Sequence, residues 1–390
     1  VLLGMGREGH STYNFIRRYL PEQKLIIADA KQVEIDDPNV ELICGDGYLD
    51  AINRADTVIK APGVPLLHWK RPQGVEITCQ TDLFLRYSGF NCVGVTGTKG
   101  KTTTSTLIYS MLRAAGKEAC LIGNMGYPVF DSLEDCAGET AVIEMSSHQL
   151  EFTSRSPHIA VLTNIYPEHL DHYDSFECYV GAKLNIVRNQ GEGDTFIYNA
   201  DQGLDGFFDL SEYPGEAVGV SVNTPDAEKY RDINPHLLGE HNIQNCMFAA
   251  EAARRCGVSD EDIMRALKDY EGIEHRMEFF ATVKGIKFVN DCIATIPHSV
   301  MCAVEALGDV DTLIFGGMDR GLDYSAFEKA LEKDGLTVEH YETGKKMGYP
   351  DDTLKRLSGA AALPCEKKDA VYKMVDTCGA EFDAQTPYFY

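Results

Sequence analysis

Short apolar runs, each breaking into glycine or polar residues and followed by a stretch with helical spacing, recur along the sequence. The clearest begins at Cys92-Val-Gly-Val and opens into Gly97-Thr98-Lys99-Gly100-Lys101-Thr102. From Thr103 to Ala115 the pattern turns helical, with Leu107, Ile108, Met111 and Leu112 on one face. The chain opens in the same way. Val1 to Leu3 is apolar, Gly4, Gly6 and Gly9 stand in G-x-G-x-x-G spacing, a helical stretch runs to Leu20, and Lys24 to Asp29 reads as a second strand. Further strands are predicted at Thr57–Lys60, Ala119–Gly123, Thr140–Glu144 and Ile159–Asn164, with short strands and turns from Gly193 to Val222. Helices are predicted at Cys79–Tyr87, Phe176–Val187, Cys246–Cys256 and Ile263–Leu267. Beyond a strand-turn-strand at Phe279–Val289 and a helix at Pro297–Leu307, strands at Thr312–Gly317, Val338–Tyr341 and Ala360–Leu363 alternate with helices at Tyr324–Leu331, Thr353–Leu357 and Ala370–Val375. Such alternation predicts an α/β protein with mostly parallel sheets and right-handed crossovers. Three domains are expected: a Rossmann-like one over 1–88, a central P-loop domain over 89–272, and a Rossmann-like C-terminal one over 273–390.

Composition narrows the partners. A length of 390 residues accommodates several cores, and a net charge of -24 disfavours a nucleic-acid or anionic-membrane binder, which needs a basic field. Any anionic ligand must then be met by local devices. Twelve cysteines without a Cys-x-x-Cys pair read as buried thiols of a reducing compartment, and no run approaches the roughly 20 apolar residues of a membrane span. A cytoplasmic monomer with no membrane insertion is expected. Val1 stands inside an apparent strand, so residues are expected to precede it.

The candidate chemistry gathers at predicted strand ends. Gly97 and Gly100 let backbone N–H groups turn inward, Thr98, Lys99 and Thr103 complete the loop, Lys101 can reach terminal phosphates, and the Thr102 hydroxyl can hold Mg²⁺. Glu144 ends a strand and suits a second magnesium site, and His169 and Asp171 follow the next strand. The helix Phe176–Val187 turns Lys183 away from its apolar set, as a solvated face would, and His148 and His172 read as hydrogen-bonding surface residues. Asn242 or Asn245 can present an amide to a base edge, or Asn242 can cap the helix that follows. Arg276 can close on phosphates, and Asp291 on ribose hydroxyls or Mg²⁺. In the first domain the glycine loop and Asp29 suit a pyrophosphate-containing ligand, with Thr57 to Gly63 ending over the same crevice; a nicotinamide dinucleotide is the competing ligand.

The order of these motifs resembles the Mur ligase family, over nearly the whole chain. The resemblance rests on Gly4-x-Gly6-x-x-Gly9, Gly94-Val-Thr-Gly-Thr-Lys-Gly-Lys-Thr, Gly123-Asn-Met-Gly-Tyr-Pro, Glu144-Met-Ser-Ser-His-Gln-Leu-Glu, Asn164 through His169-Leu-Asp171, Tyr179-Val-Gly-Ala-Lys183, His241-Asn-x-x-Asn245, His275-Arg276, Asn290-Asp291 and Gly316-Gly317. It implies an ATP-dependent amide ligase, closest to the glutamate-adding branch, joining glutamate to UDP-N-acetylmuramoyl-L-alanine through an acyl phosphate. By the same resemblance Lys101 meets the phosphates, Thr102 and Glu144 one Mg²⁺, and His169 the other with Lys183, carbamylated by CO2. Asn245 would meet adenine, Arg276 the γ-phosphate and Asp291 the ribose. Met5, Gly6, Arg7, Asp29 and Gly63 would surround the uridine diphosphate, with Asn124 on the sugar or alanine side. Three departures touch the incoming amino acid. Cys292-Ile-Ala-Thr295-Ile stands where the family has Ser-Lys-Ala-Thr-Asn, Arg320 replaces a lysine, and the C-terminal Ser-Pro loop is not visible before Tyr390. A ligase for another amino acid and a non-catalytic nucleotide-binding protein are the alternatives.

Overall fold

The structure is a computed structural model and describes residues 1–308 apart from 68, 70, 71, 124–127, 134, 135, 137–139, 205, 295 and 296, together with 310, 312–314 and 355. Two compact units divide the chain, Val1–Glu271 and Gly272–Tyr390. The first carries two all-parallel sheets.

In the first sheet β1 (Leu2–Leu3) is central, flanked by β2 (Leu25–Asp29) and β4 (Thr57–Lys60), with β3 (Val40–Cys44) and β5 (Glu76–Thr78) at the edges. The order β3-β2-β1-β4-β5 reverses direction at β1, so a crevice opens beyond its carboxyl end. Gly4 to Gly9 turn there into α1 (Arg7–Tyr19). Gly9 is dictated by close packing, since a Cβ on it would stand 2.1 Å from the Gly4 carbonyl oxygen. The edge strands β3 and β5 went unpredicted because neither is an apolar run: Glu41 and Leu42 of β3 face solvent. α2 (Gln80–Tyr87) then leads to the second sheet, with Cys79 accepting at its N-terminus from the Asp82 N–H.

The second sheet runs β11-β10-β9-β6-β8-β7. Its strands are β6 (Asn91–Thr96), β7 (Ala119–Gly123), β8 (Thr140–Glu144), β9 (Ile159–Leu162), β10 (Thr195–Asn199) and β11 (Glu216–Val220). The connecting helices are α3 (Lys101–Ala114), the single-turn α4 (Ser147–Leu150) and α5 (Phe176–Arg188), followed by α6 (Glu240–Arg255) and α7 (Asp260–Lys268). β6, β8 and β9 are buried along nearly their whole length, as a parallel sheet covered on both faces requires. Cys92, Ile143, Ala160 and Leu162 share one core with Tyr179, Leu184 and Val187 of α5. α3 packs on β6, β7 and β8 and against α6 and α7.

Two expectations change here. α6 begins at Glu240 behind Gly239 and not at Cys246, so Asn242 and Asn245 lie inside the helix, buried, and neither caps it. Cys120 and Cys136 are joined as a disulfide across 16 residues, against the reading of all cysteines as thiols; the start of β7 and the segment after that strand bring their Cα atoms to 5.5 Å, a proximity that sequence spacing does not reveal.

In the second unit β12 (Glu278–Val283) and β13 (Ile286–Asn290) form an antiparallel hairpin, followed by α8 (Pro297–Leu307). The elements predicted from Thr312 onward lie outside the described residues, apart from 312–314, which belong to no strand, and Lys355, which is helical. Among the described residues no helix is long and apolar enough to cross a membrane.

The glycine loop supplies a stability test. Gly9→Ala drives a methyl group into backbone and is expected to cost about 1–3 kcal/mol in denaturant unfolding. Gly6→Ala, where a Cβ meets nothing within 4 Å, is expected to stay within about 0.5 kcal/mol.

Candidate active site

β6 lies between β8 and β9, the point where the strand order of the second sheet reverses, and the loop Gly97–Gly100 continues from its carboxyl end. Register carries the neighbouring strand ends to the same place. Val95 pairs with Glu144 and Thr96 with Leu162, so the buried Glu144 carboxylate and the Thr163-Asn164 turn stand beside the loop. Asn164 shapes it through three hydrogen bonds: its carbonyl accepts from Thr98 N at 2.9 Å, its Oδ1 from Lys99 N at 2.8 Å, and its amide donates to Lys99 O at 3.1 Å.

Gly100 has φ 83° at the start of α3 and turns the backbone into the helix. A Cβ there would stand 2.4 Å from Asn245 Oδ1, which places Asn245 directly behind the loop. Asn245 accepts from Thr104 Oγ1 at 3.3 Å and donates to Asn242 Oδ1 at 3.1 Å, leaving one amide hydrogen. Thr102 and Thr103 occupy the first turn of α3, where free N–H groups and the helix dipole favour an anion.

Lys101 Nζ donates to the carbonyls of Gly97 at 3.0 Å and Thr98 at 3.1 Å. Lys183, read from sequence as a solvated residue, is instead buried, and its Nζ donates to the same Gly97 oxygen at 2.7 Å. The helical face assigned from the apolar set was too narrow, because α5 is enclosed between the sheet and the loop. Burial and the neighbouring Lys101 charge both push the Lys183 amine well below the ordinary lysine range. Tyr179, one turn earlier, lies with its ring 4.8 Å from Lys183 Nζ and shares a 2.9 Å hydrogen bond with Thr98 Oγ1. Lys99 pairs with Glu168 at 3.0 Å.

A cleft of about 350 Å³ collects these groups, lined by Lys101, Lys183, Tyr179, Glu168, His169, Ser146, Ser147 and His148, and by Pro62 and Gly63 from the turn after β4 of the first sheet. His169 takes a left-handed φ of 57°. His148 and His172, expected on the surface, pack ring to ring instead. His148 lies 4.7 Å from His169 and 4.1 Å from His172 between ring centroids, and His172 is buried against Glu151 at 3.3 Å. Burial, with the adjacent His172 and His169, lowers His148 to about 3. Glu144, at the end of β8, and Thr102, in the first turn of α3, are not among the residues lining the cleft.

A second cavity, about 420 Å³, opens on the glycine loop of the first sheet and is lined by Met5, Gly6, Arg7, His10, Ser11, Asn14, Pro128 and Asp131. Asp29 supports the loop from behind, accepting from Met5 N at 2.6 Å and from Lys31 N at 2.8 Å. Thus Met5, Gly6 and Arg7 share one cavity, whereas Gly63 lies in the other. Arg276 and Asp291 belong to the second unit, where Asp291 accepts from Met277 N at 3.1 Å and burial raises its carboxyl. Asn124, Thr295 and Arg320 lie outside the described residues.

Sequence reasoning gave no chemical place to Tyr179, Glu168, Ser146 or His148. Tyr179 was counted in an apolar stripe, and the others sat in polar runs after strands, a signal that marks a strand end without saying which side chains turn inward.

The comparisons with known proteins agree with this geometry. Residues 95–209 match the Mur ligase middle domain. A Bacteroides fragilis UDP-N-acetylmuramoylalanine--D-glutamate ligase is 35% identical over 87% of this chain and 84% of its own length. The protein of that name from Ligilactobacillus salivarius is 32% identical over 93% and 87%. Among solved structures, MurF from Acinetobacter baumannii superposes with a TM-score of 0.55 at 17% identity, covering 93% of this chain and 79% of that one. A UDP-N-acetylmuramate-alanine ligase MurC from Thermotoga maritima gives 0.52 at 21%, covering 91% and 88%. With a glycine loop, a phosphate loop and a buried lysine arranged over two parallel sheets, and with relatives above 30% identity along most of both lengths, the chain belongs to the Mur ligase family.

Proposed function

We propose that this enzyme joins D-glutamate to UDP-N-acetylmuramoyl-L-alanine at the expense of ATP. One observation carries the reading: Lys101, His169 and the buried Lys183 line a single cleft together with Pro62 and Gly63, from the turn after β4 of the sheet that bears the glycine loop. The relatives named for this reaction supply its substrates. A MurF ligase from Thermotoga maritima, solved in complex with ADP, shares the fold at a TM-score of 0.53 and 18% identity, covering 88% of this chain and 82% of that one. The division of labour proposed is 1–88 for the UDP-linked substrate, 89–272 for ATP and 273–390 for the amino acid.

The substrate carboxylate attacks the γ-phosphorus of ATP, ADP departs, and an acyl phosphate forms. The glutamate amine then attacks its carbonyl carbon, loses a proton, and expels phosphate to leave an amide. Little covalent work falls to the protein, so catalysis rests on holding the reactants in line and balancing crowded negative charge. Lys101 and the first turn of α3, with Gly97 to Thr103, would take the β- and γ-phosphates; Arg276 is assigned to the γ-phosphate, Asn245 to adenine and Asp291 to ribose. Met5, Gly6, Arg7 and Asp29 would receive the uridine diphosphate, Gly63 and Asn124 the sugar side, and Thr295 and Arg320 the amino acid.

The donor set suits magnesium. The Thr102 hydroxyl, in the first turn of α3, and the Glu144 carboxylate, at the end of β8, are hard oxygens, and magnesium takes one or two such ligands plus phosphate oxygens and water. Thr102 with Glu144 would hold one ion, and His169 with Lys183 the other; bound there, the ions neutralise phosphate charge. For Lys183 to serve, its amine must add CO2 to give a carbamate and release a proton. Burial favours the uncharged amine that this addition needs.

Phosphate release from ATP is expected only when Mg²⁺, UDP-N-acetylmuramoyl-L-alanine and D-glutamate are present together, with L-glutamate inert in the same assay. Turnover with another amino acid would reassign the acceptor amine, and ATP binding without stimulation by any would make the chain a nucleotide-binding protein only. Lys101→Ala is expected to lower kcat by roughly 10²–10³-fold, as loss of a transition-state charge partner does. Lys183→Ala should lose activity and regain part of it with millimolar acetate or formate, measured by the same phosphate release; an unimpaired variant would remove Lys183 from the site.

A further inference from the structure

A buried acid connects the glycine loop to the catalytic cleft. Glu8 stands in the first turn of α1, between Gly6 and Gly9, yet its carboxyl turns inward. Oε1 accepts from Gln149 Nε2 at 2.6 Å, and Oε2 is buried with no hydrogen-bond partner among the described residues. Burial raises this carboxyl to about 7, opposed by the Gln149 hydrogen bond and the nearby Lys60 charge. Leaving an oxygen of an acid dry is unfavourable, so the contact made by the other oxygen must be accounted for.

Its partner is locked from the other side. Gln149 Oε1 accepts from Ser146 N at 3.0 Å and from Ser146 Oγ at 3.1 Å, while Gln149 N donates to Ser146 Oγ at 3.3 Å. A backbone N–H can only donate, so the amide oxygen must face Ser146 and the NH2 must face Glu8. The Gln149 carbonyl is held as well, accepting from Cys79 Sγ at 3.2 Å. Ser146, Ser147 and His148, the residues this capping turn shapes, line the cleft together with Pro62 and Gly63. Close to Pro62 in the chain, Lys60 Nζ donates to the Ala61 and Pro62 carbonyls at 3.4 and 3.3 Å and to Glu151, just after the capping turn, at 3.1 Å.

We propose that Glu8 is a positioning residue of the ligase: from the glycine loop it holds Gln149, and through Gln149 it fixes the Ser146–His148 wall relative to the site of the UDP-linked substrate. The inference rests on the function proposed above. A substrate anchored by its diphosphate at the glycine loop must deliver its carboxylate into the cleft, and the Glu8–Gln149 bond sets that span. ATP, held by the phosphate loop, does not depend on it.

The full-length chain, Glu8→Ala and Glu8→Gln decide the matter, since the glutamine keeps an oxygen that can accept from Gln149. Glu8→Ala is expected to raise KM for UDP-N-acetylmuramoyl-L-alanine about tenfold with KM for ATP within about twofold, and Glu8→Gln to restore the first value to within about threefold. Hydrogen exchange at the Ser146–Leu150 amides should quicken in Glu8→Ala and not in Glu8→Gln, a readout independent of turnover. An unchanged Glu8→Ala, equal loss of affinity for both substrates, or a Glu8→Gln as impaired as Glu8→Ala would overturn the proposal. If the wild-type chain shows no turnover while the exchange pattern holds, the ligase reading has failed and the structural link has not; turnover with unaltered exchange sinks the link alone.

Discussion

Two lysine amines donate to one carbonyl oxygen, that of Gly97, from 3.0 Å for Lys101 and 2.7 Å for Lys183. Much of the site follows from that convergence. Both cannot carry full charge at such range without strong mutual cost, and the deeper one, Lys183, is driven toward its neutral form while Lys101 keeps access to the cleft. The convergence exists because β6 is central: α3 and α5 enclose its carboxyl end, and the loop between β6 and α3 is short enough for both helices to reach.

Charge around the loop is arranged locally, against the sign of the whole molecule. The chain carries -24 overall, yet Lys99, Lys101 and Lys183 crowd around Gly97 to Lys101, and Glu168 pairs with Lys99 at 3.0 Å. Local fields dominate at these distances because charges farther than about 10 Å are screened by salt. An acidic protein can therefore bind a polyanion, provided the cations are gathered by the fold and the helix N-terminus adds its own partial charge.

The two sheets of the first unit are joined by polar contacts as well as apolar ones. Ser11 donates to Asp131 at 2.6 Å, Lys60 pairs with Glu151 at 3.1 Å, Gln149 donates to Glu8 at 2.6 Å, and Ser154 donates to Asp82 through backbone and side chain. Buried ion pairs such as Lys60–Glu151 add little net stability, because desolvation offsets their attraction, but they are unforgiving about geometry. A seam built this way fixes distances between the walls of the cleft better than a greasy interface of equal area would.

The sequence by itself determined the strand–loop–helix succession, the glycine loops and the polar residues closing each strand. Those features depend on local preferences: apolar runs for buried strands, glycine for close approach, and amphipathic spacing for helices. It also assigned Lys183 to a site only through its order among other motifs, for nothing local distinguishes a lysine on a helix such as α5 from a solvated one. Tertiary structure alone decided that Lys183 is enclosed, that Asn242 and Asn245 are interior residues of α6, that His148 lines the cleft with its ring edge to face against His172, and that Glu8 turns away from solvent to meet a residue 141 positions on. The physical reason is common to all four. Whether a polar side chain meets water or a partner depends on which other element covers it, and the parallel register that sets coverage joins strands far apart in the chain.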